Sequence, residues 1–169
     1  MASARGVWCS GRTPACFRLP EFAPDWPRTA PPLFADTEPK LIYNDIDPKA
    51  EAMARANADT AGVLGQISFV TGDFRRLTRE GVEARFGRAD ESTSGLIVSN
   101  PPYGQRLGDA DQLPAEYRAL GAWCARFKGY RAAFLVDHPD FEAAFGRRPV
   151  LKKPLPNGPL RSVFYLYDL

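Results

Sequence analysis

The tetrapeptide Asn100-Pro101-Pro102-Tyr103 carries the most specific chemistry in the chain. An exocyclic amino group on a nucleobase is a poor nucleophile, because its lone pair is delocalised into the ring. The Asn100 side-chain oxygen and the Pro101 carbonyl can accept its two N–H bonds and localise that lone pair toward an electrophile. The residue before each proline is pushed to extended geometry, which fixes the carbonyl array in advance. Tyr103 offers a ring face on which a base can stack. At this composition the tetrapeptide should arise by chance in roughly one such sequence in a thousand. The plain alternative is a proline turn followed by a core tyrosine.

Two acids extend the pattern. An acid after the second strand of a nucleotide-binding unit accepts hydrogen bonds from ribose hydroxyls. Asp45 is the candidate, while Asp47 reads as a helix cap. Asp73, after Thr71-Gly72, can accept from an adenine amino group, with the amide of Phe74 against the ring. Both acids are also ordinary turn formers, and for Asp73 alone a Gly-Asp turn is the stronger reading. The chain holds one histidine, which removes His-centred triads and multi-His metal sites.

These residues need strands to hold them. Leu41-Ile42-Tyr43, Ile67 to Val70 and Leu96-Ile97-Val98 are short apolar runs, and each ends in one of the polar groups above. Pro48 opens a helix after Asp47, and Gly62 stops it. Its inner face is expected to hold Ala50, Met53, Ala54, Asn57 and Ala61. The stretch after Asp73 reads as polar and Arg-rich. Leu113, Tyr117, Leu120, Cys124 and Phe127 give the clearest helical stripe. Ala132 to Val136 is a fourth strand, and Asp140 to Phe145 a short helix closed by Gly146. Two β-rich runs around Asn157-Gly158 read as an antiparallel hairpin. Strands are expected at 41–44, 67–71, 95–99, 131–136, about 148–153 and 161–167. The fold class is therefore α/β, mostly parallel with a C-terminal antiparallel hairpin. In such a sheet the ligand crevice lies at the carboxyl ends of the strands, where Asp45, Asp73 and Asn100 fall.

Residues 1–39 differ, with seven of the 16 prolines and no sustained period. They read as an irregular arm, with a little helix near 30–35, before a domain over 40–169. At 169 residues, with 44% hydrophobic and 25% charged residues, the chain reads as one globular domain. No apolar run approaches the ~20 residues that span a bilayer. The three scattered cysteines give no zinc or disulfide framework and fit a reducing cytoplasm. A net charge of +2 is compatible with nucleic acid without demanding it.

The segments Ile42 to Asp47, Asn57-Ala58, Ala61-Gly62-Val63, Gly72-Asp73, Ser99 to Arg106 and Lys152-Lys153 to Tyr167 together resemble a known family. They are similar to class I S-adenosylmethionine-dependent methyltransferases, more narrowly the ribosomal-RNA guanine-N2 enzymes of the RlmL-like group. The resemblance covers roughly residues 17–169 and is firmest over 41–107. It implies a Rossmann-like sheet, S-adenosyl-L-methionine as cofactor and RNA as partner, with no metal. It puts the cofactor ribose on Asp45 and its adenine on Asp73 and Phe74. Asn100 borders the cofactor, and Asn100 to Tyr103 hold the target amine. Tyr103, Arg106, Lys152, Lys153, Asn157 and Arg161 fall to the RNA. The NPPY signature serves guanine-N2 in this group and adenine-N6 elsewhere. The flanking Gly104-Gln105-Arg106-Leu107 and the Asn-Gly hairpin favour guanine.

The family's first strand and glycine-rich loop, of the form D-P-x-C-G-S-G-T, have only a faint echo in Cys9 to Thr13, and no THUMP domain is expected within these 169 residues. The expectation is an N-terminally truncated catalytic domain whose sheet lacks the strand between the Leu41 and Leu96 strands. Edges left unpaired in this way invite association with another chain. Such a chain is expected to show little activity alone, since the loop positions the methionine end of the cofactor. A non-catalytic RNA-binding remnant using Arg147, Arg148, Lys152, Lys153 and Arg161 is the second reading. A nicotinamide-linked oxidoreductase is set aside, because no G-x-G-x-x-G lies between a strand and a helix.

Overall fold

The computed structural model describes residues 40–86, 94–102, 112–155 and 161–169. The chain divides into two compact units, Met1–Phe74 and Arg75–Leu169. The arm, the expected helix near residue 30, Cys9 to Thr13, Tyr103 to Leu107 and the Asn157-Gly158 turn lie outside the described residues.

In the first unit, β1 (Leu41–Asp45) runs parallel to β2 (Ile67–Thr71), with Tyr43 opposite Phe69 and Asp45 opposite Thr71. The crossover is α1 (Pro48–Thr60). Asp47 caps it by accepting from the Lys49 amide at 2.8 Å, and Pro48 occupies the first turn. That position suits proline, whose missing N–H has no partner there in any helix. At the other end, Gly62 takes a positive φ of 70°. Its amide bonds to Asp59 O and the next amide, of Val63, to Ala58 O, which satisfies carbonyls the helix leaves open.

One expectation for α1 fails. Met53 is 65% exposed and Asn57 is exposed, whereas Ala58 is buried. The inward stripe is Ala50, Ala54, Ala58 and Ala61, small residues spaced 4, 4 and 3. Met53 lies about 100° off that stripe, on the solvent side.

The second unit holds β3 (Leu96–Ser99), β4 (Arg131–Val136), β5 (Leu151–Pro154) and β6 (Val163–Asp168) in the order β3-β4-β6-β5. β3 and β4 are parallel, and β6 is antiparallel to both its neighbours. Pro154 lies on the edge strand β5, where a residue without an N–H is tolerated. Strand positions match the sequence reading to within a few residues, but the strands form two sheets, β1-β2 and β3-β4-β6-β5. Among the described residues β1 pairs only with β2, and β3 only with β4. Leu96 and Val98 of β3 are 59% and 71% exposed.

The core of this unit is aromatic. α3 (Leu113–Cys124) buries the expected stripe of Leu113, Tyr117, Leu120 and Cys124, continued by Phe127. α4 (Phe141–Phe145) ends at Gly146, in the left-handed region at φ 78°. Phe134, Phe141, Phe145, Tyr165 and Tyr167 pack ring to ring, with Phe145 and Tyr167 centroids 4.4 Å apart. α2 (Arg79–Ala84) forms inside the stretch read as merely polar. Thr78 caps it by accepting from the Gly81 amide. Its Glu83 is buried, held by Arg79 at 2.6 Å and by the Tyr130 hydroxyl at 3.2 Å. No helix among the described residues is long and apolar enough to cross a membrane.

Candidate active site

The first unit presents two acids at neighbouring strand ends. The parallel register sets Asp45 opposite Thr71, so Asp73 follows two residues beyond that pair. Asn44 ties the ends together, its side-chain amide donating to Val70 O at 2.9 Å and Gly72 O at 3.0 Å. The Gly72 amide donates back to Asp45 O at 2.8 Å. Gly72 has φ 145°, which only glycine adopts without strain, and a Cβ there would meet no atom of the described residues within 4 Å. The turn therefore opens onto space where Asp73 begins.

The Asp45 carboxylate is half-buried and already organised. Its Oδ1 accepts from the Asp47 amide at 2.9 Å, and its Oδ2 from the Tyr43 hydroxyl at 3.3 Å. Burial first, and the neighbouring Asp45 charge second, push the Tyr43 phenol above its ordinary value, so it stays a donor. An ionised carboxylate offers about four acceptor positions. With two used, Asp45 retains capacity for a diol. Asp45 is thus both a turn former and an oriented acceptor. Asp73 and Phe74 are half-buried.

The second unit presents the proline turn at the carboxyl end of β3. Asn100 is exposed, Pro101 buried and Pro102 exposed. Neither the Asn100 side-chain amide nor the Pro101 carbonyl is bonded to another described residue, whereas Pro102 O accepts from the Tyr117 hydroxyl at 2.7 Å. Tyr103 and Arg106 lie outside the described residues, as does Asn157.

The basic candidates divide. Lys152 is engaged, donating to Glu142 Oε2 at 2.7 Å and lying 5.5 Å from the centre of the Tyr165 ring. Lys153 and Arg161 are exposed. Arg147 donates to Asp168 O at 2.8 Å, and Arg148 is exposed. Among the described residues no group of three or more His, Cys, Asp or Glu is placed to hold a metal.

Sequence reasoning did not assign Asn44 or Tyr117. Asn44 was visible as a polar residue inside an apolar strand, a pattern that needs a partner. The contact of Tyr117 with Pro102 leaves no local trace, since Tyr117 also fits the apolar stripe.

Residues 22–165 match the family described as RMKL-like, methyltransferase domain. The ribosomal RNA large subunit methyltransferase K/L of Legionella pneumophila (strain Lens) is 37% identical over 131 residues, 77% of this chain and 17% of that protein. The chain thus spans about a sixth of the length of the curated relatives it matches. Among solved structures, a putative methyltransferase, SMU.472, complexed with SAH, aligns with TM-score 0.67 and 26% identity. The alignment covers 79% of this chain and 33% of that one. A possible methylase from Clostridium difficile 630 aligns with TM-score 0.66 and 32% identity, with the same coverages.

Proposed function

The chain belongs to the RMKL-like methyltransferase domain family, and on that premise we propose that it takes part in S-adenosylmethionine-dependent methylation of an exocyclic amine in RNA. The target we assign is guanine-N2 of large-subunit ribosomal RNA, a substrate that places the protein in the cytoplasm. The observation that carries the reading is the Asn100-Pro101 acceptor pair. It follows β3, with Asn100 exposed and Pro101 buried, and neither acceptor is engaged by the described residues.

The cofactor supplies an electrophilic methyl group. The first unit fits its nucleoside end, since Asp45 keeps acceptor capacity for ribose hydroxyls and Gly72 leaves open space before Asp73. In this reading Asp73 accepts from the adenine amine and the Phe74 amide faces the ring. The SAH named with the SMU.472 structure supports this choice of cofactor.

The Asn100 side-chain oxygen and the Pro101 carbonyl accept the two N–H bonds of the target amine. Its lone pair is then held out of the ring and available for transfer. No side-chain base is required before the nitrogen gains its new bond. The proton then leaves an amine made strongly acidic, and water suffices to take it. Tyr103 stacks on the base, and Lys153 and Arg161 contact RNA phosphates together with Lys152, Arg106 and Asn157.

The test is transfer of a tritiated methyl group to unmodified large-subunit ribosomal RNA, followed by digestion to nucleosides. With a glycine-rich loop joined ahead of these residues, label in N2-methylguanosine is expected. Label in N6-methyladenosine would reassign the base, and RNA binding without label or cofactor binding would leave the non-catalytic remnant.

A further inference from the structure

We propose that Tyr117 is a positioning residue for the target-amine turn, latching the Pro102 carbonyl so that the Asn100 and Pro101 acceptors are held in place. This rests on the reading that those two acceptors receive the amine. The turn has an unusual need for outside support. Pro101 and Pro102 have no N–H, so two successive residues contribute no backbone donor that could pin the loop to β4 or to itself. The prolines set the local backbone angles, but anchoring the turn to the body of the unit falls to donors that reach its carbonyls.

Tyr117 is built for that task. It is 1% exposed on the buried stripe of α3, and its hydroxyl reaches Pro102 O at 2.7 Å across 15 residues of chain. The ring cannot swing away. Its edge meets His138, beyond the end of β4, at 5.5 Å between centroids, and Phe141, at the start of α4, at 5.0 Å. The His138 ring is itself oriented, because its Nδ1 accepts from the Asp140 amide at 3.2 Å. The latch therefore hangs from three elements, α3, α4 and the end of β4. Burial pushes the Tyr117 phenol up to about 12, so the hydroxyl remains a donor across the neutral range. Tyr117 engages Pro102 O, while the Pro101 carbonyl has no donor among the described residues.

Tyr117→Phe isolates the hydroxyl, since the ring contacts with His138 and Phe141 remain. The first readout is the 13C shift of the Pro102 carbonyl in the labelled 169-residue chain, which reports its hydrogen bond directly. It should move in Tyr117→Phe and stay fixed in Tyr167→Phe, whose buried hydroxyl has no partner among the described residues. An unmoved Pro102 shift would overturn the latch. The second readout is single-turnover methyl transfer, in a chain that carries the glycine-rich loop, set against cofactor affinity. One neutral hydrogen bond predicts a ~2- to 10-fold slower transfer with unchanged affinity. Asn100→Ala, run alongside, separates the two ideas. If only Tyr117→Phe leaves transfer untouched, the positioning role falls. If both do, the assignment of the turn to the target amine falls.

Discussion

Gly121→Ala should destabilise the second unit, although alanine is the better helix former. A Cβ built on Gly121 would stand 2.1 Å from Phe145 O and 3.0 Å from Phe145 C. Reaching even 3.0 Å from that oxygen requires α3 and α4 to separate by at least 0.9 Å, the difference between those two distances. The atom in the way is backbone, fixed by the buried Phe145 ring and by the left-handed Gly146 that ends α4. Overpacking of this kind costs about 1–3 kcal/mol. Replacing a mid-helix glycine by alanine returns about 1 kcal/mol. With a backbone obstacle the upper end of the first range applies, for a net loss of about 1–2 kcal/mol. Urea unfolding measures it as a lower midpoint at unchanged slope. Gly65→Ala is the control, because a Cβ there meets nothing within 4 Å, and it should stay within ~0.5 kcal/mol of the parent. A Gly121→Ala protein as stable as the parent would refute the close approach of the two helices. Because α3 also carries Tyr117, the same variant should weaken the bond to Pro102.

In a chain that carries the glycine-rich loop, Asn100→Ala should lower methyl transfer by about a hundred- to a thousandfold, the loss that follows removal of one preorganised hydrogen-bonding group at a transition-state site; steady-state assay with labelled cofactor reads it. Tyr167→Phe should raise stability by about 1 kcal/mol, since it deletes a buried hydroxyl with no partner among the described residues, and a loss in urea unfolding would contradict that. Burial raises the phenols of Tyr117, Tyr130, Tyr165 and Tyr167 above 10.0. The unfolded chain therefore releases these protons first. Stability should be intact below pH ~10 and fall as pH rises toward 12, as urea midpoints at pH 8, 10 and 11 will read. Cys124, 0% exposed with its thiol pushed up to about 12 by burial, should resist alkylation until the chain unfolds, as peptide mass mapping will detect.

Local rules carried the sequence reading far where the physics is local. The Asp47 cap, the Gly62 and Gly146 stops and the buried stripe of α3 depend on residues within a few positions of one another, and all are found. Tertiary contacts decided what was missed. Glu83 looks like part of a solvated charged stretch, yet it is buried because Arg79 and Tyr130 satisfy it. Met53 looks like a core residue, yet the inward stripe of α1 is made of alanines and Met53 is 65% exposed. At the site, the strand-end acids were legible from position. Their dual use was not, because Asp45 is organised by Tyr43 and Asp47 in three dimensions. Tyr117 was hidden for the reason that makes it effective, since one side chain serves both the apolar stripe and the turn.

In the proposed site, labour is divided between the β1 and β2 ends, which serve the cofactor, and the β3 turn, which serves the amine. Calorimetric titration of S-adenosylmethionine into the parent chain, Asp45→Asn and Asn100→Ala tests it most directly. Asp45→Asn keeps an acceptor for the Asp47 amide but removes the charge. It should weaken binding on the order of ten- to a hundredfold, the worth of a charged hydrogen bond. Asn100→Ala should bind as the parent does. Equal losses in the two variants, or no loss in Asp45→Asn, would contradict the account.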